Sequence, residues 1–229
     1  MPTPRIRYIE GSNMIFNLVA LINKYNMQIK GVLHIGAYTG EELELYRTVG
    51  LSNTVLFEPQ KDLFRIVKNK CIAAENVHNV ALGNVNDQLM DMYISHTEGG
   101  IKNGSGASSS LLKPKKHLIE HPNVKFVKKE SVEVYKLDNF ISTFDIDIKE
   151  YNFINVDVQG YELEVFKGAE KSLKHIDYII AEVNRDEVYA QCPLIGDIDN
   201  YLQGFGFTRE LVAWQSESWG DAFYMKDAQ

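Results

Sequence analysis

The chain has 229 residues, of which 45% are hydrophobic, so it can form one domain with a sizeable core. Its 24 Lys and Arg residues against 31 Asp and Glu residues give a net charge of −7, which provides no overall basic field for a nucleic acid partner. The two cysteines, Cys71 and Cys192, lie far apart and outside any CxxC or Cys/His spacing, which argues against a disulfide framework or a zinc site and favours a cytoplasmic location.

The N-terminal segment predicts a helix over about residues 12–26, with the sequence SNMIFNLVALINKYN. Ser12 or Asn13 is a plausible N-cap, and the apolar residues that follow recur at helical spacing. The apolar run MIFNLVALI is too short to span a bilayer and is interrupted by Asn17. We therefore expect neither an export signal nor insertion into a membrane.

After this helix, short apolar runs alternate with amphipathic runs along the chain. This alternation predicts a mainly parallel β-sheet with helices on both faces. The apolar runs are nearly continuous, as expected of strands that helices cover on both sides. No internal repeat is evident, so residues 1–229 are predicted to form a single domain. The runs that carry the pattern are GVLHIG, EELELYRTV, NTVLFE, KDLFRIVKNK, NVHNVAL, YNFINVDV, ELEVFKGAEKSL and DYIIAEV.

Two segments depart from this rhythm. Residues 96–117 begin with HTEGGIKNGSGASSS, which predicts a mobile loop between the strands LMDMYIS and FVKKESVEVYKL. A passive linker is the alternative, although long loops in compact domains are often functional. Near the C-terminus, GFTRELVAW and DAFYMK are separated only by QSESWG, which predicts an antiparallel hairpin.

The stretch VLHIGAYTGEE predicts a ligand-binding turn where the first strand ends. Gly36 and Gly40 allow the backbone to turn sharply, and the following helix directs its free amide groups at the same place. Glu58 ends the next strand, 22 residues after Gly36, where its carboxylate can accept hydrogen bonds from both hydroxyls of an adenosine ribose. The alternative is that the glycines only shape a turn and that Glu58 is a surface acid.

The spacing of the glycines favours one adenosine ligand over another. A dinucleotide site usually has G-x-G-x-x-G, whereas Tyr38 stands here at the second glycine and leaves little room for a pyrophosphate. S-adenosylmethionine (SAM) has no phosphate groups and suits this looser turn. Two other classes of protein remain as alternatives: a nicotinamide-dependent oxidoreductase, and a non-enzymatic module that binds an adenosine ligand.

The chain resembles the FkbM family of SAM-dependent methyltransferases over roughly residues 30–226. The motifs that carry the resemblance are VLHIGAYTGEE, VLFEP, NVALG, SSSLL, LDNF, INVDVQGYELEVFKGAEKSL, IIAEVNRDEVY and WGDAFY. The resemblance implies an α/β, Rossmann-like class I fold with a seven-stranded sheet and an antiparallel terminal strand. It also implies O-methylation of a hydroxyl, often on a sugar or a natural product.

The first motif departs from the common family pattern D-V-G-A-N-x-G, because His34 replaces the Asp and Tyr38 replaces the Asn. This resembles a subgroup with H-I-G-A. His34 is either a cofactor contact or a packed histidine at the end of a strand. We expect Gly36 and Ala37 near the methionine end of SAM, and Ala81 or Leu82 beside the adenine. The full predicted cofactor-binding set is His34, Gly36, Ala37, Glu42, Glu58, Pro59, Ala81, Leu82 and Asp157.

Side chains with oxygen atoms that can accept a proton or bind a metal ion lie at the ends of two predicted strands. Asp157 follows the buried strand of INVDV, and Glu182 and Asn184 end IIAEVN, so all three should open on the carboxyl edge of the sheet. In one mechanism Asp157 or another nearby base takes the proton of the acceptor hydroxyl. In the other, Asp157, Glu182 and Asn184 bind Mg²⁺, which lowers the pKa of that hydroxyl. The alternative is that Asp157 has only a structural role, as a cap of the helix that follows.

The predicted catalytic residues are Asp157, Glu182 and His117, the last because it follows the serine-rich loop. The predicted acceptor is a small molecule or glycan, preferably a sugar, bound under residues 96–117 and against the terminal hairpin, where Trp214 and Trp219 could stack on a sugar face. The alternative makes Trp214 core, Trp219 a turn residue and the serines a solvated linker. The acceptor itself and the oligomeric state stay open. The predicted substrate-binding set is Ser108, Ser109, Ser110, Asn184 and Trp219.

Overall fold

The first helix of the structure, α1 (Leu18–Tyr25), begins at Asn17, whose side chain accepts a hydrogen bond from the amide of Ala20 at 3.0 Å. The structure is a computed structural model that describes residues 16–72, 77–97 and 105–227. The predicted caps Ser12 and Asn13 therefore lie outside the described residues. Leu18 and Leu21 of α1 are buried against the sheet, so the apolar positions of this helix face the core as the spacing predicts.

Ten strands and six further α-helices follow α1 in the described residues. The strands are β1 (Val32–Ile35), β2 (Thr54–Phe57), β3 (Val77–His78), β4 (Ala81–Leu82), β5 (Gln88–Thr97), β6 (Val124–Tyr135), β7 (Phe153–Val156), β8 (Tyr178–Asn184), β9 (Phe207–Trp214) and β10 (Trp219–Lys226). The helices are α2 (Leu43–Thr48), α3 (Lys61–Lys70), α4 (His117–Glu120), α5 (Leu137–Thr143), α6 (Glu162–Lys167) and α7 (Ile195–Gln203).

Seven of the strands form one sheet in the order β3-β2-β1-β7-β8-β10-β9. The neighbours from β3 to β8 are parallel, and β10 runs antiparallel to both β8 and β9. The predicted α/β class, the mainly parallel seven-stranded sheet and its antiparallel terminal strand are thus confirmed. The hairpin predicted near the C-terminus consists of β9 and β10.

The sheet has a hydrophobic layer on each face because alternate residues of its strands point to opposite sides. Leu33 and Ile35 of β1 pack on one face with buried residues of α5, α6 and α7. Val32 of the same strand packs on the other face with residues of α1 and α2. Helices therefore cover both faces, which explains why the strands read as continuous apolar runs.

The strand register brings the residues that follow three central strands to one edge. Ile35 pairs with both Phe57 and Val156, so β1, β2 and β7 end at the same level. Val156 in turn pairs with Ala181 in β8, which places Glu182 one residue further along. The turns after β1, β2 and β7 and the last residues of β8 therefore meet at the carboxyl edge of the sheet.

A second, three-stranded sheet with the order β4-β6-β5 was not foreseen from the sequence. The two strands predicted around the serine-rich loop form as β5 and β6, which pair with each other over their length. Ser110 makes a short antiparallel bridge to Tyr93 of β5. The described part of the predicted loop is thus tied to this sheet, while residues 98–104 lie outside the described residues. None of the described helices has the length and apolar character needed to cross a membrane.

Candidate active site

A cleft opens at the carboxyl edge of the main sheet and has a volume of about 930 Å³, including open solvent at its mouth. Ten of the predicted site residues line it: His34, Gly36, Glu42, Glu58, Pro59, Ala81, Leu82, Ser109, Asp157 and Glu182. The other predicted residues, which are Ala37, Ser108, Ser110, His117, Asn184 and Trp219, lie outside the described lining. The strand register explains why Gly36, Glu58, Asp157 and Glu182 meet, because these residues follow or end neighbouring strands of the main sheet at one edge.

The turn after β1 requires glycine at position 36. Gly36 has a φ of +86°, and a Cβ there would lie 1.8 Å from the carbonyl oxygen of Asp157 on the neighbouring turn. The amides of Gly36 and Ala37 both donate to the carbonyl oxygen of Phe57 at 3.0 Å. The backbones of the turns after β1 and β7 are therefore in direct contact. The amides of Gly36 and Ala37, which were predicted to face the cofactor, donate hydrogen bonds to the neighbouring strand β2.

Glu58 is buried at the end of β2 and is held at both carboxylate oxygens. The amide of Tyr38 donates to Oε2 and the amide of Gln60 donates to Oε1, each at 2.8 Å. Burial raises the pKa of Glu58 to about 8, although the two backbone hydrogen bonds oppose this shift. Glu58 therefore couples the glycine turn to the end of β2, and it lines the cleft as the ribose prediction requires.

His34 sits in a buried polar cluster at the end of β1. Its Nδ1 lies 3.2 Å from the hydroxyl of Tyr46, and its Nε2 lies 3.4 Å from the side-chain amide of Asn155 and 4.0 Å from Glu42. Burial lowers the pKa of His34 to about 4, against an opposing effect of the Asp157 charge. The ring is therefore neutral at physiological pH and is packed at the strand end while also lining the cleft.

The central chemical feature of the cleft is a pair of carboxyl groups joined by an amide. Nε2 of Gln159 lies 2.8 Å from Oδ1 of Asp157 and 2.5 Å from Oε2 of Glu182, and it donates to both. Burial raises the pKa of Glu182 well above its usual range, and the neighbouring carboxyl of Asp157 adds to the shift. The Oε1 of Gln159 accepts from the hydroxyl of Tyr189 at 2.7 Å.

Two more carboxyl groups surround this pair. Oε1 of Glu162 accepts hydrogen bonds from the amides of Val158 and Gly160 at 3.0 and 3.1 Å, so the side chain folds back onto the turn before α6. Burial raises the pKa of Glu162 to about 7. Asp221 of β10 lies opposite Glu182 in the strand register and lines the cleft. The region is therefore strongly acidic.

The magnesium site of Asp157, Glu182 and Asn184 stays a prediction. Among the described residues, no group of three or more His, Cys, Asp and Glu side chains is arranged to hold a metal ion. The side-chain amide of Gln159 occupies the position between Asp157 and Glu182. An amide nitrogen is a hydrogen-bond donor and cannot share that position with a cation. The arrangement favours proton transfer at the carboxyl pair.

The three serines of the predicted rim make hydrogen bonds within the protein. The hydroxyl of Ser109 donates to Oε1 of Gln60 at 3.1 Å, and that of Ser110 donates to the carbonyl oxygen of Gln159 at 2.7 Å. The amide of Ser108 donates to the hydroxyl of Ser95 at 3.1 Å. Ser109 and Ser110 are buried, so this run forms a wall that packs against the cleft.

His117 lies outside the cleft in an aromatic cluster. Its ring centre is 5.5 Å from that of Tyr189, 5.3 Å from that of Phe126 and 4.8 Å from that of His121. Burial lowers the pKa of His117 to about 4, and the charge of His121 acts in the same direction. His117 supports Tyr189, which contacts Gln159, so its link with the carboxyl pair is indirect.

Asn184 and Trp219 pair with each other across β8 and β10, one pleat beyond the pair formed by Glu182 and Asp221. Because residues two apart on a strand share a face, Asn184 lies on the same face as Glu182. Asn184 is fully buried, and neither atom of its side-chain amide has a hydrogen-bond partner among the described residues. Trp219 packs at the edge of the cluster around Tyr189, whereas Trp214 lies under the guanidinium of Arg185 at 3.6 Å.

Several residues of this site were missed in the sequence analysis. Gln159, Tyr189 and Glu162 were not considered as site residues. Asn155 and Asp221 could have been identified from the sequence, because each is a polar residue within an apolar strand that was already predicted to border the site. Tyr189 offered no such signal, since its contact with Gln159 joins parts of the chain that are 30 residues apart.

Comparison with known proteins points to one family. Residues 34–209, which make up most of the chain, match the family model described as the Methyltransferase FkbM domain. The chain is 33% identical over 135 residues to the 2-O-methyltransferase NoeI of Sinorhizobium fredii (strain NBRC 101917 / NGR234), and the match covers 58% of this chain and 52% of NoeI. The chain thus spans about half the length of this curated relative.

A solved structure of a methyltransferase FkbM shares the fold of this chain. The crystal structure of methyltransferase FkbM from Methylobacillus flagellatus KT superposes with a TM-score of 0.54 at 16% sequence identity, covering 85% of this chain and 43% of that chain. Magnesium protoporphyrin IX methyltransferase (ChlM) from Synechocystis PCC 6803, solved with bound SAM, gives a TM-score of 0.44 at 9% identity, covering 92% of this chain and 76% of that chain.

Proposed function

The chain belongs to the FkbM methyltransferase family, as its motifs predict, and we propose that it transfers the methyl group of SAM to a hydroxyl of a sugar. The observation that carries the proposal is the joint placement of Glu58 and the Asp157–Glu182 pair in one cleft at the carboxyl edge of the sheet. A ribose-binding acid and a proton acceptor are the two groups that such a reaction needs from the protein.

The residues of the cleft fit SAM in shape and charge. Glu58 lines the cleft, and its two carboxyl oxygens can accept from two ribose hydroxyls. Val80, Leu82 and Met92 provide an apolar wall suited to an adenine ring. SAM carries a sulfonium and an ammonium group, which suit a lining rich in carboxylates. When bound, it supplies an electrophilic methyl group.

Asp157 is the proposed general base. Burial raises the pKa of Glu182 well above its usual range, which favours Glu182 as the member of the pair that keeps its proton and Asp157 as the proton acceptor. Gln159 fixes the spacing of the two groups by donating to both. The acceptor oxygen forms a bond with the methyl carbon as the sulfur–methyl bond breaks, and the hydroxyl proton passes to Asp157.

A sugar acceptor is supported by two observations. The relative NoeI is, by its name, a 2-O-methyltransferase, which supports transfer to an oxygen without naming the acceptor. The wall next to Glu182 is polar, since Asp221 lies opposite Glu182 in the strand register and also lines the cleft. Trp219, at the edge of this face, has an aromatic surface of the kind on which a sugar ring can pack. The polar wall favours a sugar over a lipid, which would need a wide apolar cleft.

The proposal predicts that Glu58→Ala weakens the binding of S-adenosylhomocysteine, the demethylated product, by about 5- to 150-fold. Two hydrogen bonds to the carboxyl group are lost, each worth about 0.5–1.5 kcal/mol. Glu58→Gln keeps one acceptor oxygen and should lose less. Glu210→Ala, which removes an exposed acid on β9, is the matched control and should bind normally. Calorimetry measures all three, and an unchanged affinity for Glu58→Ala would remove the ribose assignment.

The activity itself is tested with methyl-labelled SAM and a panel of glycosides, phenols and peptides. Label on a glycoside hydroxyl supports the proposal, and preference for a phenol or a peptide contradicts the sugar assignment. Stabilisation of the protein by NAD(H) instead of SAM would favour the oxidoreductase alternative. Binding of SAM without transfer to any acceptor would favour the adenosine-binding module. Activity that survives exhaustive chelation with EDTA would exclude the magnesium mechanism.

A further inference from the structure

We infer, on the basis of the proposed function, that Tyr189 is a positioning residue for methyl transfer. It lies outside the described lining of the cleft, so it acts through Gln159, which it holds between Asp157 and Glu182. The evidence lies in the hydrogen bonds of the Gln159 amide, in the packing of the Tyr189 ring and in the backbone conformation of Gln159.

The amide of Gln159 is held from opposite sides by Tyr189 and by the carboxyl pair. The hydroxyl of Tyr189 donates to Oε1 at 2.7 Å, and Nε2 donates to Asp157 and to Glu182 at 2.8 and 2.5 Å. Tyr189 is fully buried, so water does not compete at its hydroxyl. Hydrogen bonds in such a chain polarise one another, so donation to Oε1 strengthens the donation from Nε2 to the carboxyl groups.

A second acceptor lies beside the same hydroxyl. The carbonyl oxygen of Ser108 is 2.9 Å from it, and the hydroxyl has only one proton to donate. The shorter distance favours Oε1 of Gln159 as the acceptor. An inverted amide would place Oε1 next to two carboxyl oxygens, where an ionised Asp157 would repel it. The observed orientation gives each polar atom of the Gln159 amide a suitable partner.

The ring of Tyr189 packs on the turn that carries Gln159. A Cβ at Gly160 would lie 3.2 Å from Cδ2 of the ring and 3.4 Å from the Cβ of Tyr189, so ring and turn are in close contact. Gln159 itself has a φ of +57°, which is unfavourable for a residue with a side chain and persists only where neighbours hold it. The hydroxyl of Ser110 contributes a hydrogen bond to the carbonyl oxygen of Gln159 at 2.7 Å. The position of Gln159 thus depends on contacts from distant parts of the chain.

These contacts assign Tyr189 an effect on turnover and not on cofactor binding. Removal of its hydroxyl leaves Oε1 of Gln159 buried without this donor, so the side chain gains by turning away from the carboxyl pair. Asp157 then loses the hydrogen bond that fixes it opposite the acceptor hydroxyl, and small displacements of a reacting group lower the rate strongly. Glu58 has its own backbone partners on β2 and the glycine turn, so it should be unaffected.

The first test is Tyr189→Phe in the full chain, with methyl-labelled SAM and the methyl glycoside that accepts the label best. We expect kcat to fall by about 10-fold, while KM for SAM and for the glycoside changes less than about 2-fold. Turnover is expressed per site that binds S-adenosylhomocysteine, counted by calorimetry, so partial loss of folded protein does not affect it. An unchanged kcat, or a loss confined to KM, would overturn the inference.

Tyr224→Phe is the matched control for this substitution. Tyr224 is also buried and lies outside the described lining, and its hydroxyl donates to Asp199 at 3.0 Å. Loss of this hydroxyl should destabilise the fold to a similar extent but leave kcat unchanged. An equal loss of kcat in both variants would show that the effect of Tyr189→Phe is a general loss of stability.

A double-mutant cycle tests whether Tyr189 acts through Gln159. In the Gln159→Ala background, Tyr189→Phe should lower kcat by less than about 2-fold further, because the residue that transmits its effect is absent. A second full 10-fold loss would show that Tyr189 acts independently of Gln159, and it would overturn the inference.

A spectroscopic measurement separates this inference from the proposed function. In protein labelled with ¹⁵N-glutamine, the side-chain signal that is missing in Gln159→Ala belongs to Gln159. It should shift in Tyr189→Phe and stay in place in Tyr224→Phe, and neither SAM nor an acceptor is needed. An unshifted signal overturns the inference even where methyl transfer proceeds. A shifted signal without transfer to any acceptor would confirm the contact but refute the proposed function, and with it the role of Tyr189 in turnover.

Discussion

Replacing Gly36 by alanine should force apart the two central turns at the edge where the cleft opens. The new Cβ would lie 1.8 Å from the carbonyl oxygen of Asp157 and 2.9 Å from its carbonyl carbon. Both are backbone atoms at the end of β7, so they cannot rotate out of the way. The turns after β1 and β7 would have to separate by more than 1 Å to reach an ordinary contact distance.

Gly50 provides a matched control for this substitution. Its φ of +80° is close to the +86° of Gly36, but a Cβ there would have nothing within 4 Å. Alanine at either position costs about 1–2 kcal/mol for adopting a left-handed backbone. Alanine at position 36 costs about 1–3 kcal/mol more, because it overpacks a rigid contact. The extra loss corresponds to a melting temperature lower by about 2–12 °C in a protein of this size.

Urea denaturation followed by circular dichroism measures the stability of both variants, and calorimetry measures their affinity for S-adenosylhomocysteine. We expect Gly36→Ala to be the less stable variant and to bind more weakly, because the displaced turn carries Asp157. Gly50→Ala should bind as the wild type does. Equal stability of the two variants would refute the close approach of the turns, since the backbone cost is common to both.

Three further predictions concern the carboxyl groups. Asp157→Asn should fold and bind S-adenosylhomocysteine but lose about 10²–10⁴-fold in kcat, and near-normal turnover would show that Asp157 only caps the turn. Gln159→Ala should lower kcat and shift the acidic limb of the pH–rate profile, whereas a purely structural role would leave the profile in place. Above about pH 7.5 the histidines with lowered pKa values, His34, His78 and His117, are mostly neutral in both the folded and the unfolded states, so stability should fall as pH rises to about 8.5. Burial raises the pKa of Glu58 to about 8, so the folded protein holds more protons than the unfolded chain in this range. A melting temperature that rises between about pH 7.5 and 8.5 would contradict this account.

The amino-acid sequence by itself determined the class of fold and one half of the site. Alternating apolar and amphipathic runs specify strands and helices locally, and parallel strands joined by helices end at a common edge. Gly36, Glu58 and Asp157 could therefore be placed together without coordinates, because each follows or ends a strand. The strand register agrees with this expectation, because Ile35 pairs with both Phe57 and Val156 and the three strands end at the same level.

Tertiary structure alone decided which side chains complete the site. His117 follows the serine-rich segment in sequence, yet α4 packs its ring against Tyr189 and outside the cleft. Gln159 lies between two carboxyl groups because its backbone adopts a φ of +57°, which local sequence does not specify. Contacts of this kind depend on the pairing of distant strands and on the direction of each side chain, and neither is encoded in a local pattern of polarity.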